Sequence, residues 1–93
     1  MTARFIHVAF SISGPVPIDA LKKVFDTALD WIRYDDRCWI LYTNTEIDTW
    51  RDRIRKTPGI KVTDGFFLCE FEGKYSGYMD KWVWDWLQKD RSK

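Results

Sequence analysis

The chain has 93 residues, enough for one domain and too few for a second hydrophobic core of ordinary size. Fifteen Lys and Arg against fourteen Asp and Glu leave a net charge of +1, so no bulk field collects long nucleic acid or an anionic membrane. Aromatic residues make up 17% of the chain, six Trp among them. Each such ring brings about 150–250 Å² of buriable surface, which is the composition of a folded domain and not of a disordered one.

Residues 4–12 alternate, with Ile6, Val8, Phe10 and Ile12 on one side and Phe5, His7, Ala9 and Ser11 on the other, which predicts a strand largely apolar on both faces. Ser13-Gly14-Pro15-Val16-Pro17 breaks the pattern, and Pro17 suits a first helical residue, with Asp19 near the positive helix end. Ile18, Leu21, Phe25, Ala28, Leu29 and Ile32 recur at helical spacing while Lys22, Lys23 and Asp26 point away, as on a helix lying against a sheet. Residues 31–34 and 37–43 read as two strands joined by a tight turn at Asp35-Asp36. That hairpin is what makes the expected topology ferredoxin-like.

Thr45-Glu46-Ile47-Asp48 has the form of a capping box, and Ile47, Trp50, Arg51 and Ile54 set the inner stripe of a second helix that stops before Pro58-Gly59. Its outer face is basic. Residues 65–72 alternate again, with Phe67, Cys69 and Phe71 opposite Phe66, Leu68 and Glu70. Residues 81–87 predict a last helix, with Trp82, Val83, Trp86 and Leu87 inside and Trp84 on the wrong side to join them. No apolar run approaches the ~18 residues of a membrane span, and Met1-Thr2-Ala3-Arg4 leads into a strand without a signal-peptide apolar region.

Chemistry-bearing residues are few. Cys38 and Cys69 are too few and too far apart for a zinc ribbon or a disulfide framework. They read as free thiols of a reducing, cytoplasmic compartment, on neighbouring positions of the third and fourth strands. His7 has no second base at hand, because Ser11 lies ~13 Å along the same strand face at ~3.3 Å per residue, so a packed or interface histidine is expected. Asp35 and Asp36 are explained by turn preference. On the second helix Arg51, Arg53, Arg55 and Lys56 offer phosphate contacts, but Asp48 and Asp52 dilute the face.

Six tryptophans exceed what a two-layer domain of this size needs inside, so some rings should line a subunit interface or a stacking pocket. Trp39, Trp50 and Trp84 with Arg51 and Arg55 are the candidate ligand-binding set. With helices on one side only, the other sheet face would expose Phe5, His7 and Ala9, which makes them the candidate dimer interface, with the terminal segment as the alternative.

The pairing of Trp31 and Tyr34-Asp35 with Trp39-Ile40-Leu41-Tyr42-Thr43, then Trp50-Arg51-Asp52, Phe67-Leu68 and Gly77-Tyr78 with Trp84-Asp85-Trp86-Leu87, resembles the small bacterial and phage proteins called SinR-like. These differ from the helix-turn-helix repressor of similar name. The resemblance covers nearly the whole chain and implies a ferredoxin-like fold, similar in shape to the nuclease family of CRISPR adaptation and to an endoribonuclease antitoxin, whose domains pair into dimers. In that nuclease family an aspartate at the end of the first strand is associated with a divalent metal. Here the matching triplet is Phe10-Ser11-Ile12, and a serine hydroxyl is a far poorer ligand for a hard cation than a carboxylate.

The resulting expectation is an α+β chain, 1–93 as one domain, folded as a ferredoxin-like βαββαβ two-layer sandwich with an extra C-terminal helix. Functionally it is expected to be a non-enzymatic homodimer or higher homo-oligomer, without catalytic residues, metal or cofactor, that binds a protein partner or a nucleotide-like ligand. A bacterial or phage defence, counter-defence or toxin–antitoxin setting is implied by the resemblance alone. The alternative is a metal-dependent nuclease in which Asp35, Asp36 or Asp64 replaces the missing carboxylate.

Overall fold

The first strand is flanked on both sides by partners, and everything else is arranged around it. In the computed structural model, which describes residues 3–91, the elements run β1 (Arg4–Ser11), α1 (Ile18–Phe25), β2 (Asp30–Asp35), β3 (Cys38–Thr43), α2 (Ile47–Arg55), β4 (Gly65–Phe71) and α3 (Lys81–Leu87). The chain is therefore α+β, with one four-stranded antiparallel sheet in the order β2-β3-β1-β4 and three helices. Val8 sits between Trp39 and Leu68, and His7 between Ile40 and Cys69.

Strand alternation puts Ile6, Val8 and Phe10 on one face, where α1 and α2 cover them with Leu21, Phe25, Trp50 and Ile54. Phe25 is the hub of this layer, its ring 5.4 Å from Trp39 and 6.4 Å from both Trp31 and Trp50. A buried Trp must satisfy its indole N–H, and Trp50 donates it to the buried Thr43 hydroxyl at 3.2 Å. The loop after α2 passes close to the start of α1. Gly59 has φ +93°, and a Cβ there would stand 2.8 Å from Pro17 Cβ, so glycine is needed for both the backbone angle and the approach.

The second face is not open. Ile40 is buried there with Val83 and Leu87 of α3, and Phe5, Ile32, Tyr34, Phe71, Trp84 and Trp86 pack around them. Helices thus cover both sides of the sheet, in place of the two layers expected. The reason is the Trp-rich stretch after β4, whose apolar stripe needs a partner and finds the apolar face of the sheet, with Ile32 and Tyr34 of β2, Ile40 of β3, Phe5 of β1 and Phe71 of β4.

The segment that follows α3 is latched by Arg91. Arg91, only 11% exposed, lays its guanidinium over the rings of Trp86, Tyr42 and Phe5 at 4.5, 4.8 and 5.5 Å. It donates to the Trp86 carbonyl at 2.6 Å and pairs with Asp30 at 3.5 Å. Asp30 also accepts the Trp86 indole N–H at 3.0 Å.

Several boundaries differ from the sequence reading. The first helix ends at Phe25, because Thr27 folds back onto the Val24 carbonyl and Leu29 already donates to Tyr42 of β3; Ile32 belongs to β2. The hairpin turns at Asp36-Arg37, since an irregularity between Arg33 and Asp35 lets Asp35 pair with Cys38. The capping box does not form: Thr43 Oγ1 takes the Thr45 N–H, while Glu46 is the N-cap and pairs with Arg4. Cys38 and Cys69 are not on neighbouring strands, because β1 lies between β3 and β4.

Candidate ligand-binding cleft

After β4 the sequence cannot stay in the sheet, since Gly73, Ser76 and Gly77 break the strand pattern within five residues of one another. Residues 72–80 run instead as an irregular segment across the second face to α3, whose first turn is closed by the Val83 N–H on the Asp80 carbonyl. Aromatic contacts hold the segment in place. Phe71 stacks on Phe5 at 5.5 Å, Tyr75 meets Phe71 edge-on at 5.7 Å, and Tyr75 stacks on Trp84 at 6.1 Å and 10°.

Between this segment, α3 and the sheet lies a cleft of about 250 Å³. Its floor is His7, Ile40 and Tyr34 from the three neighbouring strands. Phe71, Lys74, Tyr75, Ser76 and Met79 form one side, and Val83, Trp84 and Leu87 of α3 the other. A second groove of about 410 Å³ shares Tyr34, Met79 and Val83 with the cleft and continues past Tyr78, Asp80 and Trp82. Tyr78 and Trp82 are exposed there.

The polar feature of the floor is the hydrogen bond between His7 Nε2 and the Tyr34 hydroxyl. Burial, together with a hydrogen bond to the Cys38 side chain and the nearby Cys38 and Asp35, pushes the Tyr34 phenol up to about 12. Burial pulls His7 below its usual 6.5. At neutral pH the pair is therefore uncharged, with a proton held on the tyrosine. Such a pair can donate to and accept from a ligand without the cost of burying a charge.

The residues expected to bind a ligand are not brought together. Trp39 and Trp50 are 1% and 0% exposed and serve the core beneath α1 and α2, so neither offers a ring face to a ligand. Arg51 pairs with Asp48 and Asp52. Arg55 lies 4.8 Å over the Phe66 ring and donates to the Lys61 and Asp64 carbonyls, fastening the loop after α2. Trp84, on the opposite side of the sheet, is the one member of the set that lines the cleft, and it packs partly inside while Trp82 points out. Of the expected interface, Phe5 is overlaid by Trp86 and Arg91, His7 forms the cleft floor and Ala9 is half-buried, so the three do not form an open patch.

Sequence reasoning missed Tyr34, Lys74, Tyr75 and Met79. The signal available for Lys74 and Tyr75 was a short stretch between Gly73 and Gly77 ahead of a Trp-rich helix, and Met79 follows two residues after the second glycine. Two of the three acidic residues considered for a metal have other work. Asp36 accepts from Arg33 at 3.3 Å, and Asp64 accepts the Lys61 N–H at 2.8 Å to close its loop. Among the described residues, no three His, Cys, Asp or Glu side chains are grouped as metal ligands, and no helix is long and apolar enough to cross a membrane.

Compared with protein-family models, curated proteins and solved structures, the chain has no match.

Proposed function

We propose that this chain is a small-ligand binding domain whose site is the cleft between the second sheet face, the 72–80 segment and α3. The observation that carries the reading is a concave, mostly apolar hollow with one uncharged hydrogen-bonding pair, His7 and Tyr34, on its floor. Ligand sites have this character, a hydrophobic lining with a few polar groups that fix orientation. At about 250 Å³ the hollow falls below the ~300–1,000 Å³ of sites for drug-sized ligands, so the part of a ligand it encloses is a flat group the size of one or two rings.

The βαββαβ element order, with β1 and β3 central and all ladders antiparallel, supports a ferredoxin-like arrangement with α3 added on the face such sheets leave open. The placement of Trp31, Trp39, Trp50 and Trp84 supports a SinR-like protein of bacterial or phage origin, and two free thiols support a reducing, cytoplasmic setting. A homo-oligomer would have to form away from Phe5 and His7, which α3 and the cleft occupy.

The test is a screen of flat one- and two-ring fragments against the ¹⁵N-labelled chain. Binding should shift the amides of His7, Tyr34, residues 71–79 and the Trp84 indole. Shifts confined to α2, or no binder in the screen, would refute the reading. Native mass spectrometry of the purified chain would report subunit count and any co-purifying molecule in one spectrum.

A further inference from the structure

The cleft is unusual in its charge. No carboxylate lines it, and its one formally charged side chain is the Lys74 ammonium. Lys74 is exposed and, among the described residues, has no ion-pair partner; Lys22, Lys23, Lys56 and Lys61 share that property, and what sets Lys74 apart from them is that it lines this cleft. It lies three residues beyond the end of β4, at the side of the cleft opposite α3, whereas His7 and Tyr34 lie on the floor formed by the sheet. Between them the walls are rings: Phe71, Tyr75, Trp84 and Tyr34 itself.

Taking the cleft as the binding site, we infer that its ligand is a small planar acid, a ring bearing a carboxylate that meets Lys74 and a hydroxyl or carbonyl that reaches the His7–Tyr34 pair. Each part of that description has one structural cause. Aromatic walls favour a conjugated ring, since stacked and edge-to-face contacts add to area burial. An unpaired ammonium beside an apolar wall favours an anion over its neutral isostere, because nothing competes for it except water. The absence of a carboxylate from the lining removes what would repel such an anion. The uncharged floor takes a neutral hydrogen-bonding group and rejects a second charge, which would be left buried and unpaired.

The experiment titrates the full chain by calorimetry and ¹H–¹⁵N spectra with 4-hydroxybenzoate, its neutral isostere 4-hydroxybenzamide, and terephthalate. The expected result is that 4-hydroxybenzoate shifts the Trp84 indole and binds at least about fivefold more tightly than the amide, a preference of the size of one partly exposed charge pair that weakens in high salt. Terephthalate should bind more weakly than 4-hydroxybenzoate. Lys74→Gln should bring the affinity for the acid down to that for the amide, whereas Lys22→Gln on the outer face of α1 should leave the preference intact. If acid and amide bind equally, or the preference survives Lys74→Gln, the cleft stands as the binding site and the acid class is overturned. If none of the probes moves the cleft resonances at millimolar concentration, both fall.

Discussion

Replacing Arg91 by alanine removes the latch on α3 while leaving both helices of the other face untouched. A seven-residue helix is far below the ~12–15 residues at which isolated helices become even marginal, so α3 stays helical because it is docked. Arg91 contributes to that docking in three ways. Its guanidinium is largely withdrawn from water over three rings, where one cation–π contact is worth ~0.5–2 kcal/mol. Its bond to the Trp86 carbonyl is charge-assisted, worth about 1.5–3 kcal/mol, although that carbonyl keeps the Lys89 N–H as a second donor at 3.3 Å. The Asp30 pair is half-open and counts for about 1 kcal/mol or less. These share one side chain and do not add fully, so about 2–4 kcal/mol is the expected loss in docking free energy.

Native-state hydrogen exchange reads this directly. In Arg91→Ala the amides at the end of α3 should exchange about 30- to 1,000-fold faster than in the parent, with the amides of Leu21, Phe25, Trp50 and Ile54 much less affected. Arg91→Lys should recover little of the protection, because an ammonium lacks the flat face that lies on the rings. Unchanged exchange in α3, or an equal increase across all three helices, would refute the idea of a separately latched element.

Phe25→Ala should cost about 3–5 kcal/mol in urea denaturation, since it empties the ring-lined centre of the first face. Gly59→Ala should lower stability by about 1–3 kcal/mol, seen as a fall in Tm of several degrees, from its positive φ and its clash with Pro17. His7 favours its neutral form in the fold, so the unfolded chain binds the extra proton first as pH falls. Its contribution is present above pH 6.5 and is lost as pH drops through the lower folded value, so the urea midpoint should fall more between pH 7.5 and 5.5 in the parent chain than in His7→Gln. Tyr34→Phe, which removes the floor hydroxyl, should weaken any ligand that bonds to it about tenfold with little change in Tm, measured by calorimetry and thermal melts.

The elements themselves could be read from the sequence because their signals are local. Alternation of Ile6, Val8 and Phe10 sets a strand, Pro58-Gly59 ends a helix, and the stripe of Val83 and Leu87 sets the last one. The cleft could not be read, because it depends on where that last helix docks. A stripe announces an apolar face and says nothing about which surface will meet it, and an apolar sheet face fits another copy of the chain as well as it fits the chain's own α3. The tryptophans misled for a related reason. Trp39 and Trp50 look excessive for a small core only until Phe25 is seen to gather their rings around itself. Tyr34 escaped notice because its role comes from His7, 27 positions earlier in sequence and two strands away in the sheet.

The order of the elements along the chain also sets an order of assembly. The first face can close once β4 has been synthesised, whereas the second waits for α3 and Arg91, the last described elements to be made. Until then Phe5, Ile32, Ile40 and Phe71 form a sticky surface on an otherwise finished sheet. A ribosome stalled after Phe71, or a protease cutting in the 72–80 segment, would release a species primed to clump, so the quality of expression depends on the final twenty or so residues more than their small share of the core suggests.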